Sequence, residues 1–128
     1  MKILVVDDCL SLQAIMEDML QYLDYTDIHF ADSAEEALEK VPVLLPDCIL
    51  LDWHMPGMSG LDLLKQLKKD VSTKDIPIIM LTAESSMENV KKAVEDGAEG
   101  YILKPINEVL LRARLKDVEK EHLLGLKK

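Results

Sequence analysis

The sequence predicts an α/β fold, a doubly wound parallel sheet of five strands with five helices. Short apolar segments rich in β-branched residues alternate five times with segments whose apolar residues recur at three- and four-residue steps. Alternating strands and helices with short connections form parallel sheets with right-handed crossovers and helices on both faces. The length of 128 residues fits one domain, and the hydrophobic fraction of 48% supports a packed core.

The first unit opens with the apolar run Lys2–Val6, which stops at Asp7 and Asp8. The run is short, β-branched and bounded by charges, as expected for a buried strand. The helix that follows is amphipathic, and its apolar positions are Leu12, Ile15, Met16, Met19, Leu20 and Leu23. Their spacing predicts that this face packs on the sheet.

The second unit has a strand at Ile28–Ala31 and a helix that Asp32 or Ser33 can cap. The helix has one apolar face, made of Ala34, Ala37, Leu38 and Val41. Because proline lacks an N–H and its ring clashes with the preceding turn, we expect Pro42 and Pro46 to end this helix.

The third unit contains a continuous apolar run, Cys48–Leu51, which ends at Asp52. Such a run is typical of a strand that is covered on both faces. The segment Trp53–Gly60 contains a proline and two glycines and is predicted to be a loop. The third helix is marked by Leu61, Leu64 and Leu67.

The fourth unit begins with the apolar strand Ile76–Leu81, which ends at Thr82. Its helix has apolar positions at Met87, Val90, Ala93 and Val94. Gly97 follows directly and is placed to stop the helix, because glycine adopts the left-handed conformation common after a last turn.

The fifth unit has a short strand, Tyr101–Leu103, that ends at Lys104 and Pro105. Apolar residues then recur at helical spacing from Val109 to about Val118. We predict one domain over residues 1–117, with residues 118–128 as a helical extension or tail.

Charge and hydropathy exclude several classes of function. Fifteen Lys and Arg stand against 24 Asp and Glu, which gives a formal net charge of −9. This surplus argues against nucleic acid and anionic membrane surfaces, since both attract basic proteins. No apolar run approaches the roughly 20 residues that span a bilayer, and the amino terminus lacks the pattern of a signal peptide. We therefore expect a cytoplasmic protein without membrane insertion.

Reactive side chains follow four of the five strands. They are Asp7 and Asp8 after the first strand, Asp52 after the third, Thr82 after the fourth and Lys104 after the fifth. In open parallel sheets, ligands bind at the carboxyl ends of the strands. A lone Asp at such a position most often caps a helix, but five compatible residues at four strand ends favour a site.

The chemistry of these side chains suggests phosphoryl transfer to a carboxylate. Three carboxylates at one edge repel one another unless a cation joins them, and oxygen ligands without His or Cys select a hard cation such as Mg²⁺. A hydroxyl and a lysine can then grip a phosphoryl group. Asp52, at the end of the central strand, is the best candidate nucleophile, because Asp7 and Asp8 are adjacent and better placed to share a metal.

The sequence resembles the receiver domain of two-component response regulators from Lys2 to about Leu115. The matching pieces are Ile3–Asp8, Leu51–Gly60, Met80–Ala83, Gly97–Ala98 and Gly100–Pro105. Their order and spacing agree with the family throughout. Trp53, Met55 and the length are most similar to the chemotaxis-type single-domain regulators. The resemblance implies a flavodoxin-like sheet with strand order 2-1-3-4-5.

The resemblance implies a phosphoacceptor and a metal site. Asp52 would accept phosphate from a sensor histidine kinase or a histidine phosphotransfer protein. Asp7, Asp8, Asp52 and the backbone carbonyl of His54 would hold Mg²⁺, or Mn²⁺ in its place.

The resemblance also implies a switch. Thr82 would bond the phosphoryl group and Lys104 would pair with it. The peptide bond between Lys104 and Pro105 would be cis. Tyr101 would change rotamer as Thr82 moves. The surface of the fourth helix, fifth strand and fifth helix would then change for a downstream target. His54 and Glu84 occupy the two positions that tune phosphate lifetime in the family, and the sequence leaves open whether His54 activates water or shields the phosphate.

Three functions compete at this point. The first is a phosphorylatable switch that is not an enzyme, acting in chemotaxis or a phosphorelay as a monomer or weak phosphorylation-dependent dimer. The second is the receiver of a larger regulator with a DNA-binding or enzymatic output domain. The third is a phosphatase with an aspartyl-phosphate intermediate. Such phosphatases typically carry a second Asp two residues after the nucleophile, where this chain has His54.

Overall fold

The sheet has five parallel strands in the order β2-β1-β3-β4-β5, as predicted. The computed structural model describes residues 1–83 and 87–123, with side chains up to residue 121. Its strands are β1 (Ile3–Val6), β2 (Ile28–Ala31), β3 (Cys48–Asp52), β4 (Ile78–Thr82) and β5 (Gly100–Leu103). Its helices are α1 (Leu10–Tyr22), α2 (Ala34–Leu44), α3 (Gly60–Lys69), α4 (Met87–Glu95) and α5 (Glu108–Leu123).

Two apolar layers cover the sheet. Helices α2, α3 and α4 pack on one face, and helices α1 and α5 pack on the other. Every residue of β1, β3 and β4 is buried, because successive side chains of a strand point to opposite faces and both faces are covered. The doubly wound class is therefore confirmed. Among the helices described, none combines the length and apolar composition that a membrane span needs.

The prediction that Pro42 ends the second helix was wrong. Helix α2 begins after Ser33, whose hydroxyl accepts the N–H of Glu36, and continues through Pro42 to Leu44. The φ that proline imposes is compatible with a helix, so the chain continues past Pro42 without the hydrogen bond that an N–H there would make. The helix stops at Leu45, which has a positive φ of 48° and donates its N–H to the carbonyl of Val41.

Two other helices differ from their predicted outlines. The buried face of α1 contains Gln13 together with Met16 and Leu20, while Ile15 is 48% exposed. Helix α5 continues beyond the expected Val118 to Leu123, and Val118 itself is buried in the core. The helix therefore crosses residue 117 without a break, and the division of the chain at that residue stays a prediction.

Candidate functional site

Three carboxylates meet at the carboxyl edge of the sheet. Val6 pairs with Leu51 in the ladder, so Asp7 and Asp52 leave adjacent strands side by side. One carboxylate oxygen from each of Asp7, Asp8 and Asp52 lies within 4.8 Å of the others. Asp7 and Asp52 are buried and Asp8 is exposed, so the cluster lies at a mouth that opens to solvent on one side.

Most polar atoms of Asp7 form hydrogen bonds. Its N–H donates to the carbonyl of Ala31 at 3.0 Å, and its Oδ1 accepts the N–H of Cys9 at 2.9 Å. Its Oδ2 is buried and has no hydrogen-bond partner within the described part of the chain. Burial raises the pKa of Asp7, the charges of Asp52 and Asp8 raise it further, and the N–H of Cys9 and the charge of Lys104 offset part of the increase.

These residues fit a hard divalent cation. A buried carboxylate oxygen without a partner is costly, and a cation coordinated there would satisfy it and relieve the repulsion among the three acids. The donor set contains carboxylates and no thiolate or imidazole, which is the set that Mg²⁺ and Mn²⁺ accept.

A lysine contacts the central carboxylate. Lys104 Nζ donates to Asp52 Oδ1 at 2.8 Å, and the two side chains are 28% and 5% exposed. The Lys104 N–H also bonds the carbonyl of Thr82 at 2.8 Å, which fixes the two residues side by side across β4 and β5. The peptide bond between Lys104 and Pro105 is cis, as the family resemblance implied. The site therefore offers a buried carboxylate with a lysine ammonium beside it.

Gly60 constrains the site in a way that was not deduced from the sequence. Its N–H donates to the carbonyl of Trp53 at 2.8 Å. A Cβ at this position would lie 2.0 Å from the carbonyl oxygen of Asp52, so no side chain fits. Ser59 caps α3 by accepting the N–H of Asp62. A glycine directly after a helix-capping Ser was the available signal, since glycine has low helix propensity.

Tyr101 lies on the same face of the sheet as Thr82. Tyr101 pairs with Met80, two residues before Thr82, and it packs, half-buried, against the core layer of α2, α3 and α4. Thr82 is 1% exposed. The two side chains therefore occupy neighbouring strands on the face that α4 covers.

Of the two residues predicted to tune phosphate lifetime, the structure describes only His54. His54 is exposed, and its ring centroid lies 6.4 Å from that of Trp53. Glu84 lies outside the described residues. The roles assigned to both stay predictions.

Comparison with known proteins gives a consistent result. The sequence model of the response regulator receiver domain matches residues 3–116. The chain is 40% identical to chemotaxis protein CheY1 of Helicobacter pylori over 119 residues, 92% of this chain and 96% of that protein. It superposes on Vibrio cholerae CheY4 with a TM-score of 0.84, 34% identity, and coverage of 91% and 97% of the two chains. The receiver domain of a DNA-binding response regulator from Colwellia psychrerythraea gives a TM-score of 0.86 at 28% identity, covering 93% and 98%.

Proposed function

Because the chain belongs to the response regulator receiver domain family, we propose that its Asp52 accepts a phosphoryl group from a phosphohistidine. Membership makes it a signalling protein of a two-component system, with a histidine kinase as partner and a target downstream. The chain is thus not a classical enzyme, and the phosphatase alternative is set aside. The observation that carries the proposal is the buried Asp52 carboxylate, 2.8 Å from Lys104 and clustered with Asp7 and Asp8.

In the proposed transfer, an Asp52 carboxylate oxygen attacks phosphorus. The new P–O bond forms as the P–N bond of phosphohistidine breaks, and the donor imidazole leaves with the electron pair. Lys104, held beside Asp52, stabilises the charge on the transferred group, and the buried Thr82 hydroxyl binds one of its oxygens. The low exposure of Asp52 strengthens both interactions, because the local dielectric constant is low.

Asp7, Asp8 and Asp52 would hold the metal, with the backbone carbonyl of His54 as a further ligand. Mg²⁺, or Mn²⁺ in its place, supplies positive charge that neutralises the phosphoryl oxygens during transfer. The buried Oδ2 of Asp7, without a hydrogen-bond partner among the described residues, supports this assignment.

We further propose that phosphorylation changes the α4–β5–α5 surface. A phosphoryl group at Asp52 adds charge and acceptor oxygens, which draw the Thr82 hydroxyl toward it. Tyr101, half-buried on the same face, then moves into the space that Thr82 leaves. The downstream target would recognise the altered surface.

Labelling with acetyl phosphate tests the phosphoacceptor. The wild-type protein should become labelled in Mg²⁺, and Asp52→Asn should lose the label because the amide cannot form the acyl phosphate. Asp62→Asn, an exposed residue of α3, is the matched control and should label as the wild type does. A stable label on Asp52→Asn would overturn the assignment.

His54 and Glu84 are proposed to set the lifetime of the phosphoryl group. The exposed His54 follows Asp52 by two residues and can reach solvent, where it either orients a water molecule or shields the acyl phosphate. His54→Ala should change the half-life of the label, shortening it if His54 shields and lengthening it if His54 activates water. An unchanged half-life would remove His54 from the mechanism.

The pathway has two candidate forms. A chemotaxis-like switch is supported by the 40% identity to chemotaxis protein CheY1, of which the chain covers 96%. A receiver within a larger regulator is supported by the structural match to the receiver domain of a DNA-binding regulator. Capture of partners on the beryllofluoride-treated protein, with Asp52→Asn as control, would identify the target that the phosphorylated form binds.

Location and oligomeric state complete the proposal. A cytoplasmic protein is consistent with two free cysteines, of which Cys48 is fully buried, because reducing compartments keep thiols unpaired. We propose a monomer or a weak phosphorylation-dependent dimer, without direct contact to nucleic acid.

A further inference from the structure

Gln13 joins the metal-binding edge to the end of β2. Its side chain is 9% exposed and lies on the buried face of α1. Its Nε2 donates to the backbone carbonyl of Asp7 at 2.8 Å and to Oδ1 of Asp32 at 2.7 Å. One amide nitrogen therefore uses both of its protons on the residues that follow β1 and β2.

The bond from Gln13 completes the set of contacts that hold Asp7. The N–H of Asp7 bonds Ala31, its Oδ1 accepts the N–H of Cys9, and its backbone carbonyl accepts the amide of Gln13. Of the polar atoms of Asp7, only Oδ2 has no hydrogen-bond partner among the described residues, and the Asp7 carboxylate belongs to the acidic cluster. With the backbone bonded on both sides, Oδ2 is kept in place for a cation before the cation arrives.

We propose that Gln13 is a positioning residue for the metal site. Its amide fixes the backbone of Asp7. Its second bond, to Asp32, ties this contact to the end of β2. The inference rests on the proposed function, because it concerns the cation that phosphoryl transfer needs. Groups that orient metal ligands change metal affinity when they are lost, typically by 10–100-fold, even though they do not touch the ion.

The test measures Mg²⁺ affinity directly. The chain has a single tryptophan, Trp53, directly after Asp52, and its fluorescence reports on binding in a Mg²⁺ titration of the full chain. Gln13→Met keeps the length and volume of the side chain but removes both donors. We expect its dissociation constant for Mg²⁺ to rise by roughly tenfold. Asp32→Ala leaves the bond to Asp7 intact, so its loss should be smaller and in the same direction.

A matched variant and a second readout separate positioning from general damage. Gln21→Met lies on the same helix at an exposed position and should bind Mg²⁺ as the wild type does. At saturating Mg²⁺, the labelling rate of Gln13→Met should return to that of the wild type, because positioning affects the occupancy of the site and not the nucleophile.

Three results would contradict the role of Gln13, and a fourth would contradict only the proposed function. An unchanged dissociation constant in Gln13→Met, an equal rise in Gln21→Met, or a labelling rate that stays low at saturating Mg²⁺ would overturn the role of Gln13. If the wild type bound Mg²⁺ but was never labelled at Asp52, the proposed function would fail while the inference about Mg²⁺ affinity stood.

Discussion

The Lys68–Glu99 pair at the amino end of the sheet is held by several hydrogen bonds, whereas the carboxylate cluster at the carboxyl end contains a buried oxygen of Asp7 without a hydrogen-bond partner among the described residues. At the amino end, Lys68 Nζ bonds Glu99 Oε2 at 3.0 Å and the carbonyls of Ile76 at 2.9 Å and Lys74 at 3.1 Å. Oε1 of Glu99 accepts the N–H of Ile78 at 2.8 Å. At the carboxyl end, three carboxylates cluster, Lys104 bonds Asp52, and a buried oxygen of Asp7 has no hydrogen-bond partner in the described chain.

This difference separates stability from function within one sheet. A buried ion pair with its hydrogen bonds satisfied holds elements together, whereas an unsatisfied carboxylate cluster stores a cost that a ligand can relieve. Lys68 and Glu99 tie α3 to the start of β5, far from the strand ends that carry the site. The comparison predicts that substitutions at the amino end lower stability, and that substitutions at the carboxyl end alter Mg²⁺ binding and can raise stability.

The largest effect on stability is expected at the amino end. Lys68→Met keeps the length of the side chain but removes the ammonium that bonds the Glu99 carboxylate, which is 14% exposed. We expect the free energy of unfolding to fall by about 3 kcal/mol in urea titrations. Lys116→Met is the control, because its pair with Glu119 is longer, at 3.6 Å, and its side chains are 61% and 39% exposed, so its cost should stay below about 1 kcal/mol. Equal effects of the two variants would break the comparison.

The second prediction concerns the carboxyl end and has the opposite sign. Asp7→Asn removes one charge from the repelling cluster while its amide oxygen can still accept the N–H of Cys9. In EDTA, the variant should be more stable than the wild type by on the order of 1 kcal/mol. Added Mg²⁺ should raise the melting temperature of the wild type but not of Asp7→Asn.

Asp18→Asn provides the control for that experiment. Asp18 is exposed on α1, away from the cluster, and its loss should change stability by less than about 0.5 kcal/mol. A destabilised Asp7→Asn in EDTA would show that the carboxyl end is as well satisfied as the amino end.

A smaller effect than that of Lys68→Met is expected where α5 meets the amino end. Tyr25 donates its hydroxyl to Glu119, and burial raises the pKa of the Tyr25 hydroxyl, with the bond to Glu119 adding to the increase. Tyr25→Phe should lose about 1 kcal/mol at pH 7 without changing Mg²⁺ affinity. Tyr22→Phe is the control, since Tyr22 is 74% exposed.

The effect of Tyr25 should depend on pH with a defined sign. Its pKa is higher in the folded state than in the unfolded chain, so the unfolded chain loses the proton first as pH rises. The contribution of Tyr25 is therefore complete below pH 10, near the ordinary tyrosine pKa of about 10, and declines above it. The difference in stability between wild type and Tyr25→Phe should shrink in alkaline urea titrations. A constant difference would assign the effect to packing.

Much of the fold could be predicted because its signals are local. The alternation of periods gave all five strands, with bounds within two residues, and the fold class. The end of α2 was missed because proline usually ends a helix, whereas here the helix continues past Pro42 to Leu44. Ile15 was placed on the wrong face because apolar spacing alone ignored Gln13, which shares the three- and four-residue spacing of Met16 and Leu20.

The sequence by itself determined the chemistry available at the carboxyl edge. Each reactive side chain lies at or just after the carboxyl end of a strand, and parallel strands bring such ends together whatever the details of packing. Only the tertiary structure decided which polar groups are satisfied. Gln13 reaches Asp32 across 19 residues and Lys68 reaches Glu99 across 31. Such pairings depend on how helices settle on the sheet, and that geometry is fixed by the packing of the whole core, whereas periodicity encodes only which face of each element is buried.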